Sequence, residues 1–239
     1  MNKTTASMMV LIALVLMPGM GRDSVAGVAG SVHDFSTGGT SGFQATNEDE
    51  VCIFCHTPHG GVFDVGGDPV PLWNKDLTLQ QNATYQMYGS ETFLADIAPY
   101  VSPTGKPLGI SLLCLSCHDG VATSEINTVI NYSPDGPILM PEPNSIGELG
   151  FLPSYRNPNI GQDLRNDHPI SILYSPGLAI ADGGLEDPTL INSSLKLFNS
   201  RLECATCHDP HEDGSLTGKA PFLRMSNAGS DMCRSCHLK

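Results

Sequence analysis

The sequence predicts a mostly irregular chain with a few short helices, and three observations support this fold class. The 239 residues include 25 glycines and 18 prolines, residue types that are costly in helix interiors. Charged residues make up only 15% of the chain. All eight cysteines fall into four copies of a CxxCH pattern, which is the attachment site of a c-type haem. We therefore expect a multihaem cytochrome c fold, in which coil and short helices wrap around a stacked chain of four haems.

Each CxxCH motif supplies two thiols for the haem vinyl groups and a histidine that binds the iron from one side. With 8 histidines in 239 residues, chance does not account for four of them at one offset. The i, i+3 spacing of the cysteines places both sulfurs on one side of a short helical turn. The expected cofactor-binding cysteines and proximal iron ligands are Cys52, Cys55 and His56; Cys114, Cys117 and His118; Cys204, Cys207 and His208; and Cys233, Cys236 and His237.

Three other kinds of protein use CxxC pairs. Zinc ribbons do not need a histidine directly after every second cysteine. A thioredoxin-like CxxC is usually single and lies at a helix start within a βαβ unit. A disulfide framework would not place histidine four times at the same offset. Covalent haem attachment is the interpretation that explains all four motifs.

Four further histidines remain for the opposite sides of the four irons: His33, His59, His168 and His211. His59 and His211 share one repeat offset, since each closes a CxxCHxPH sequence. Methionine is the competing ligand and raises the potential, but the methionines at 87, 140, 225 and 232 have no repeat-related placement. We therefore expect four covalently bound haem c groups, all with two histidine ligands.

The spacing also restricts which iron each distal histidine can reach. His59 and His211 each follow a proximal histidine by three residues, so neither can swing around its own porphyrin, and each should ligate a neighbouring haem. The pairs that we expect within one chain are His56 with His33, His118 with His211, and His208 with His168.

The N-terminus is typical of a secretory signal peptide over residues 1–29, cleaved at about 26–30. A basic Lys3 precedes an apolar run at 8–17, which is too short to span a bilayer, and small residues follow. The mature chain, 30–239, should form a single tetrahaem domain. Its parts are a two-haem module at about 30–130, a linker with a distal histidine at about 131–200, and a second two-haem module at about 201–239. The expected location is extracellular or at the cell surface, with the periplasm as the alternative.

The formal net charge is −13, and two propionates per haem make the holoprotein more acidic. An acidic surface argues against nucleic acid and anionic membrane as partners. No second apolar segment approaches eighteen residues, so we expect no membrane insertion.

Between the motifs the sequence predicts little regular structure. Residues 31–50 should be a looped lead-in, and 60–111 mostly turns. Short helices are expected at 90–97 and at about 188–200. The Leu72-Trp73-Asn74 stretch should pack on a porphyrin, with Trp73 in core packing rather than electron relay.

The CHTPH and CHDPH motifs, Cys117-His118-Asp119-Gly120 and Asp167-His168-Pro169-Ile170 are similar to sequences of doubled-CxxCH multihaem cytochromes of metal-reducing bacteria. With four haems in a chain of this size, the resemblance is greatest to the tetrahaem OmcE-type extracellular cytochromes and covers the whole mature chain. This resemblance implies a head-to-tail filament, a cytochrome nanowire for extracellular electron transfer. Its partners would be copies of itself, redox partner cytochromes and extracellular acceptors.

In such filaments one distal histidine comes from the adjacent subunit, and the resemblance maps this role onto His59. Motif 4 ends two residues before the end of the sequence, so its haem should lie at a subunit edge. We therefore expect His59 to ligate haem 4 of the adjacent subunit. The alternative is that His59 ligates haem 2 within its own subunit.

The expected function is electron transfer without enzymatic activity. One alternative is a monomeric periplasmic electron shuttle. A second is a multihaem reductase of nitrite or tetrathionate, which needs an iron with an open sixth position, whereas this sequence has a histidine available for every iron.

Overall fold

The computed structural model describes residues 27–41, 44–89, 100–120, 138, 159–212, 214 and 218–238. This part of the chain is mostly coil and turn, as the sequence predicts for the backbone. Of the helices described, none has the length and apolar character needed to cross a membrane. The strands are β1 (Val62–Val65), β2 (Asp68–Trp73), β3 (Ile172–Leu173) and β4 (Arg201–Leu202). The helices are α1 (Thr78–Asn82), α2 (Ser111–His118), α3 (Pro176–Asp182), α4 (Cys204–Cys207) and α5 (Asp231–Arg234), with a 3₁₀ turn at Ala228–Ser230.

β1 and β2 form an antiparallel hairpin within a segment that the sequence analysis expected to be mostly turns. Its turn is Gly66-Gly67, with φ of 65° and 89°, a conformation that glycine adopts without steric cost. A Gly-Gly pair between two apolar runs is a hairpin signal. The hairpin holds motif 1 in place, because Thr57 N–H donates to Leu72 O (2.9 Å) and Asn74 N–H donates to Cys55 O (2.8 Å).

The second sheet pairs β3 with β4, also antiparallel, and brings the chain that follows His168 beside the start of motif 3. Glu203, directly after β4, precedes the helical turn α4.

Buried apolar side chains form three separate clusters, and each of them reaches a CxxCH motif. The first contains Phe35, Ala45, Phe54 and Ile138, with Cys55 and Cys117 packed against it. The second joins the β1–β2 hairpin to α2 through residues such as Val70 and Leu115. The third includes Cys236 of motif 4, with Tyr174 and Leu178. The apolar packing is therefore organised around motifs 1, 2 and 4.

α3 has clear boundary signals that the sequence analysis did not use. Ser175 Oγ accepts from Leu178 N–H (3.2 Å), Pro176 occupies the first turn, and Gly183 ends the helix at φ 68°.

The helix expected at about 188–200 is wrong, since this stretch is made of turns. Asp187 Oδ1 accepts from Thr189 N–H (2.8 Å) and Asn192 Oδ1 from Ser194 N–H (2.9 Å). Such side chains compete with helical hydrogen bonds for the backbone. The helix expected at 90–97 and all but residues 27–29 of the expected signal peptide lie outside the described residues.

Candidate haem-binding centres

Every CxxCH motif lies on a helical turn, as the cysteine spacing predicts. In motif 1, Cys55 N–H and His56 N–H both donate to Cys52 O, at 3.1 and 2.8 Å. Motif 2 closes α2, and α4 spans the two cysteines of motif 3. Motif 4 starts within α5, and His237 N–H donates to Cys233 O at 3.0 Å. The turns leave both sulfurs of each motif on one side.

The cysteines take part in neither a disulfide nor a zinc-like cluster. All eight are free thiols. Within the described ranges, which include every cysteine and histidine, no three His, Cys, Asp or Glu side chains come together as a metal-binding group. A tetrahedral zinc site needs four such ligands, whereas a haem iron takes only two from the protein, one on each side.

Six of the eight histidines form three close pairs. The ring centroids of His33 and His118 are 6.1 Å apart, those of His56 and His211 are 6.0 Å apart, and those of His168 and His237 are 6.3 Å apart. The angles between the ring planes are 85°, 14° and 78° in the same order. Each pair combines one CxxCH histidine with one histidine from elsewhere in the chain.

These distances fit an iron between two imidazoles. A metal–nitrogen distance of about 2 Å, with each ring centroid about 1 Å further out, separates the two centroids by about 6 Å. Ordinary aromatic contacts cover roughly 4.5–7 Å, so the distance alone is not diagnostic. The composition of the pairs distinguishes them from ordinary aromatic contacts, because all three join a CxxCH histidine to a histidine that the sequence predicts as a distal ligand.

In three of these histidines a hydrogen bond directs the ring. His56 Nδ1 lies 2.7 Å from Pro71 O, and His168 Nδ1 lies 3.0 Å from Pro169 O. His211 Nδ1 lies 3.1 Å from Asp209 Oδ1. A carbonyl or carboxylate only accepts, so Nδ1 must carry the proton and Nε2 keeps its lone pair for a metal. This is the arrangement that metal-binding histidines generally show.

An open cavity is lined by both His56 and His211. Its volume is about 630 Å³, within the range of ligand and cofactor sites. The lining contains Cys52 of motif 1 and both histidines, together with mainly apolar side chains such as Ile53, Pro71 and Leu72. A thioether-forming cysteine and two imidazoles around one apolar space are the groups that a c-type haem requires.

His33 is held in an apolar environment. Its Nδ1 is buried without a hydrogen-bond partner among the described residues, and its ring lies 4.5 Å from that of Phe222. Burial, followed by the charge of His118, lowers the pKa of His33 to about 4. The imidazole is therefore neutral at neutral pH, the form that binds a metal.

Cysteines of successive motifs approach one another in chain order. Cys55 of motif 1 and Cys117 of motif 2 adjoin the same apolar cluster. Cys114 of motif 2 and Cys204 of motif 3 are hydrogen-bonded through their sulfurs. Burial, then the neighbouring Cys236 and Cys233 of motif 4, raises the pKa of Cys207 to about 11. Groups attached at these sulfurs would follow the order 1, 2, 3, 4.

The histidine pairs differ from those that the sequence predicted. His33 folds over motif 2 instead of motif 1, and the partner of His56 is His211. His168 pairs with His237 because residues 184–186 run along motif 4: Glu186 N–H donates to Cys236 O (2.8 Å) and Leu238 N–H to Gly184 O (3.0 Å). Residues 184–186 therefore contact one side of motif 4, while Cys233 and His237 remain exposed.

The two remaining predicted ligands, His59 and His208, are both exposed. Across the described residues, the ring contacts that pair the other histidines do not include His208. Trp73 packs edge-on against His56, with ring centroids 6.0 Å apart, so the packing role expected of it is directed at motif 1.

Sequence reasoning missed the carboxylates beside motif 3. Glu203 is 1% exposed, and its Oε2 accepts from Ser111 Oγ and from Ser171 Oγ (3.0 Å). Cys204 N–H donates to Ser111 Oγ at 3.0 Å, so this network joins α2 to α4. Burial raises the pKa of Glu203 to about 7, against the opposing effect of the serine hydrogen bonds. An acidic residue directly before a CxxC was the available signal.

No family model matches this chain, and no curated protein matches it either.

We expect His168 to serve the iron of motif 4, so its replacement should be silent when motif 4 carries no haem. In the intact protein, His168→Ala should leave one five-coordinate, high-spin iron. In a Cys233→Ser, Cys236→Ser background, the same change should add no high-spin signal to the visible and electron paramagnetic resonance spectra. New high-spin iron in that background would assign His168 to another motif, and His211→Ala in the same background is the positive control.

Glu203 should make stability depend on pH. Its pKa is about 7 in the folded chain against a usual 4.5, so the folded state binds the proton more tightly. The stabilisation is full below about pH 4.5 and is lost as the pH rises to about 7, by up to about 3 kcal/mol. Glu203→Gln should remove this dependence in urea unfolding, while Asp49→Asn at an exposed position should keep it. If the free energy of unfolding depends on pH in the same way in the wild type and in Glu203→Gln, Glu203 does not titrate in this window.

Proposed function

We propose that this chain is an extracytoplasmic tetrahaem cytochrome c that carries electrons along a row of closely spaced haems with two histidine ligands each. We further propose that it polymerises head to tail into a conductive extracellular filament. The observation that carries the first proposal is the set of three close histidine pairs, each with one CxxCH histidine and centroids 6.0–6.3 Å apart.

The haems, when bound, supply the exchange of single electrons between ferric and ferrous iron. The chain would set the position of each haem and provide the histidines that bind its iron. The cysteines fix each porphyrin edge to a helical turn, and contacts between the cysteines of successive motifs favour short steps from one haem to the next. In three centres a pair of histidines would hold the iron from both sides. Such an iron would have no free position for a substrate, which favours a carrier over a reductase.

Histidine ligands lower the potential relative to a histidine–methionine pair. The bonds at His56, His168 and His211 hold the rings in one tautomer and one orientation. A ligand set held in this way changes little between the two oxidation states, which keeps the reorganisation that accompanies electron transfer small.

For the filament, the proposed contact is between His59 of one subunit and the iron on His208 of the next. The sequence analysis favoured the iron of motif 4 as the one that His59 ligates. However, His237 and His168 of one chain would hold that iron from both sides. His208 is exposed and lies outside the three pairs. A head-to-tail contact of this kind does not close on itself and generates an open array of subunits.

The haem proposal predicts that the purified native protein exceeds the mass of its mature polypeptide by four haem groups. Its visible spectrum should be that of low-spin c-type haem, since two imidazoles give a strong ligand field. Mass spectrometry under denaturing conditions retains thioether-bound haem and counts it directly. A mass gain of three haems, or bound zinc, would contradict the assignment.

His59→Ala should abolish or shorten filaments seen by negative-stain electron microscopy, while each chain still carries four haems. Dispersed His59→Ala subunits should show one high-spin iron of four, because the iron on His208 has lost its ligand from the neighbour.

His211→Ala is the matched control, since it occupies the same repeat offset. It should create one high-spin iron whether or not subunits associate. Full-length filaments of His59→Ala with all four irons low-spin would refute the inter-subunit bond. A wild-type protein that stays monomeric at all concentrations would favour the periplasmic shuttle.

A further inference from the structure

Asp209 lies between His208 and His211, the two histidines of the CxxCHxPH sequence in motif 3. Its Oδ1 accepts from His211 Nδ1 and from the His211 backbone N–H, both at 3.1 Å. The backbone N–H of Asp209 donates to Phe222 O (2.8 Å), so the residue is fixed at both ends. One carboxylate oxygen therefore holds both the ring and the main chain of His211.

Arg224 fixes the other carboxylate oxygen. Its Nη1 donates to Asp209 Oδ2 (2.8 Å), and its Nε donates to Ala205 O (2.7 Å) in α4. The Arg224 side chain is only 12% exposed, so water competes weakly for this contact. The ion pair with Arg224 and the hydrogen bonds from His211 are the contacts that a carboxylate makes at this position.

The corresponding anchors of His56 and His168 are neutral. His56 and His168 donate from Nδ1 to the carbonyls of Pro71 and Pro169. In the first repeat, Thr57 stands at the position of Asp209, and its hydroxyl bonds only the backbone of His59. The change from CHTPH to CHDPH thus places a negative charge on the outer nitrogen of one distal ligand.

We propose that Asp209, held by Arg224, is a positioning residue for the iron between His56 and His211, and that it lowers the potential of this iron. The inference rests on the proposed haem binding. A carboxylate that accepts from Nδ1 draws the proton outward and raises the electron density at Nε2, which favours ferric over ferrous iron.

The same bond fixes the angle of the His211 ring. His56 is held by Pro71 and packed by Trp73, and the planes of His56 and His211 differ by only 14°. Two nearly parallel imidazoles interact with the same iron d orbital and separate the energies of the d orbitals, which gives a rhombic paramagnetic signal. The nearly perpendicular rings of the other two pairs, at 85° and 78°, leave those orbitals close in energy. The iron between His56 and His211, which we call centre 1, should therefore give a paramagnetic signal that differs from those of the other two pairs.

The test measures the four midpoint potentials by spectroelectrochemistry and the paramagnetic spectrum of the oxidised holoprotein. Asp209→Asn keeps an acceptor of the same shape without the charge. It should raise one of four potentials by about 59 mV, the equivalent of a tenfold change in the relative affinity of the ligand for ferric iron. Asp209→Ala should also alter the rhombic signal, and Asp209→Glu should restore most of the lower potential.

Asp231→Asn is the matched control. Asp231 is also ion-paired to an arginine, Arg234, beside a CxxCH motif, but its carboxylate is bonded to that arginine rather than to a histidine. It should leave the potential of centre 1 unchanged. In a His211→Met background, Asp209→Asn should have no further effect, because it acts through His211.

Three outcomes are informative. An unchanged set of four potentials in Asp209→Asn overturns the inference, and so does an equal shift in Asp231→Asn, which would be a general effect of charge. A protein without covalent haem refutes the proposed function itself, and the haem count separates that failure from the others.

Discussion

The proposed function depends on one physical constraint, a pair of imidazole rings about 6 Å apart that would hold a haem iron from opposite sides. A CxxCH motif provides one of these rings and the attachment of the haem, but its own turn cannot provide the other. The chain must bring a second histidine to each motif from a distant segment. The three pairs do so with His33, His168 and His211, which come from three different parts of the sequence. Hairpin β1–β2, the β3–β4 pair and the chain along residues 184–186 are the local structures that place the motifs and these ligands.

This constraint explains why so little regular structure is present. Long helices and wide sheets bury apolar faces against one another, whereas here the apolar side chains form three clusters that each reach a CxxCH motif. Loops with many glycines and prolines can follow the outline of a flat cofactor, and their polar backbone groups bond locally through turns such as Asp187–Thr189. The interactions that fix ring orientation, at Pro71, Pro169 and Asp209, are equally local.

The local features were predictable from sequence, and the long-range ones were not. The motifs, their helical turns and six of the eight histidines follow from spacing within five to eight residues, whereas His33 and His168 lie at no repeat offset. The partner of each proximal histidine depends on packing between segments, so His33 went to motif 1 in the sequence analysis although the structure brings it to motif 2. The ends of α3 carried readable signals in Ser175, Pro176 and Gly183, whereas the polar stretch near Asn192 was misassigned as helix. Asp209 could have been noticed as the one difference between the CHTPH and CHDPH repeats.

The pair of His56 and His211 joins positions about 155 residues apart. Closing so long a loop has a large entropic cost, and a bond across it stabilises the folded chain mainly by restricting the unfolded one. The polypeptide is also synthesised from its N-terminus, so the first cysteine pair is complete long before its distal ligand exists. Under the proposed haem binding, maturation has a built-in order: of the three pairs, the earliest attachment site waits longest for its second histidine, which arrives only with the second module. That closing step can serve as a checkpoint, because a truncated chain leaves its first centre visibly incomplete.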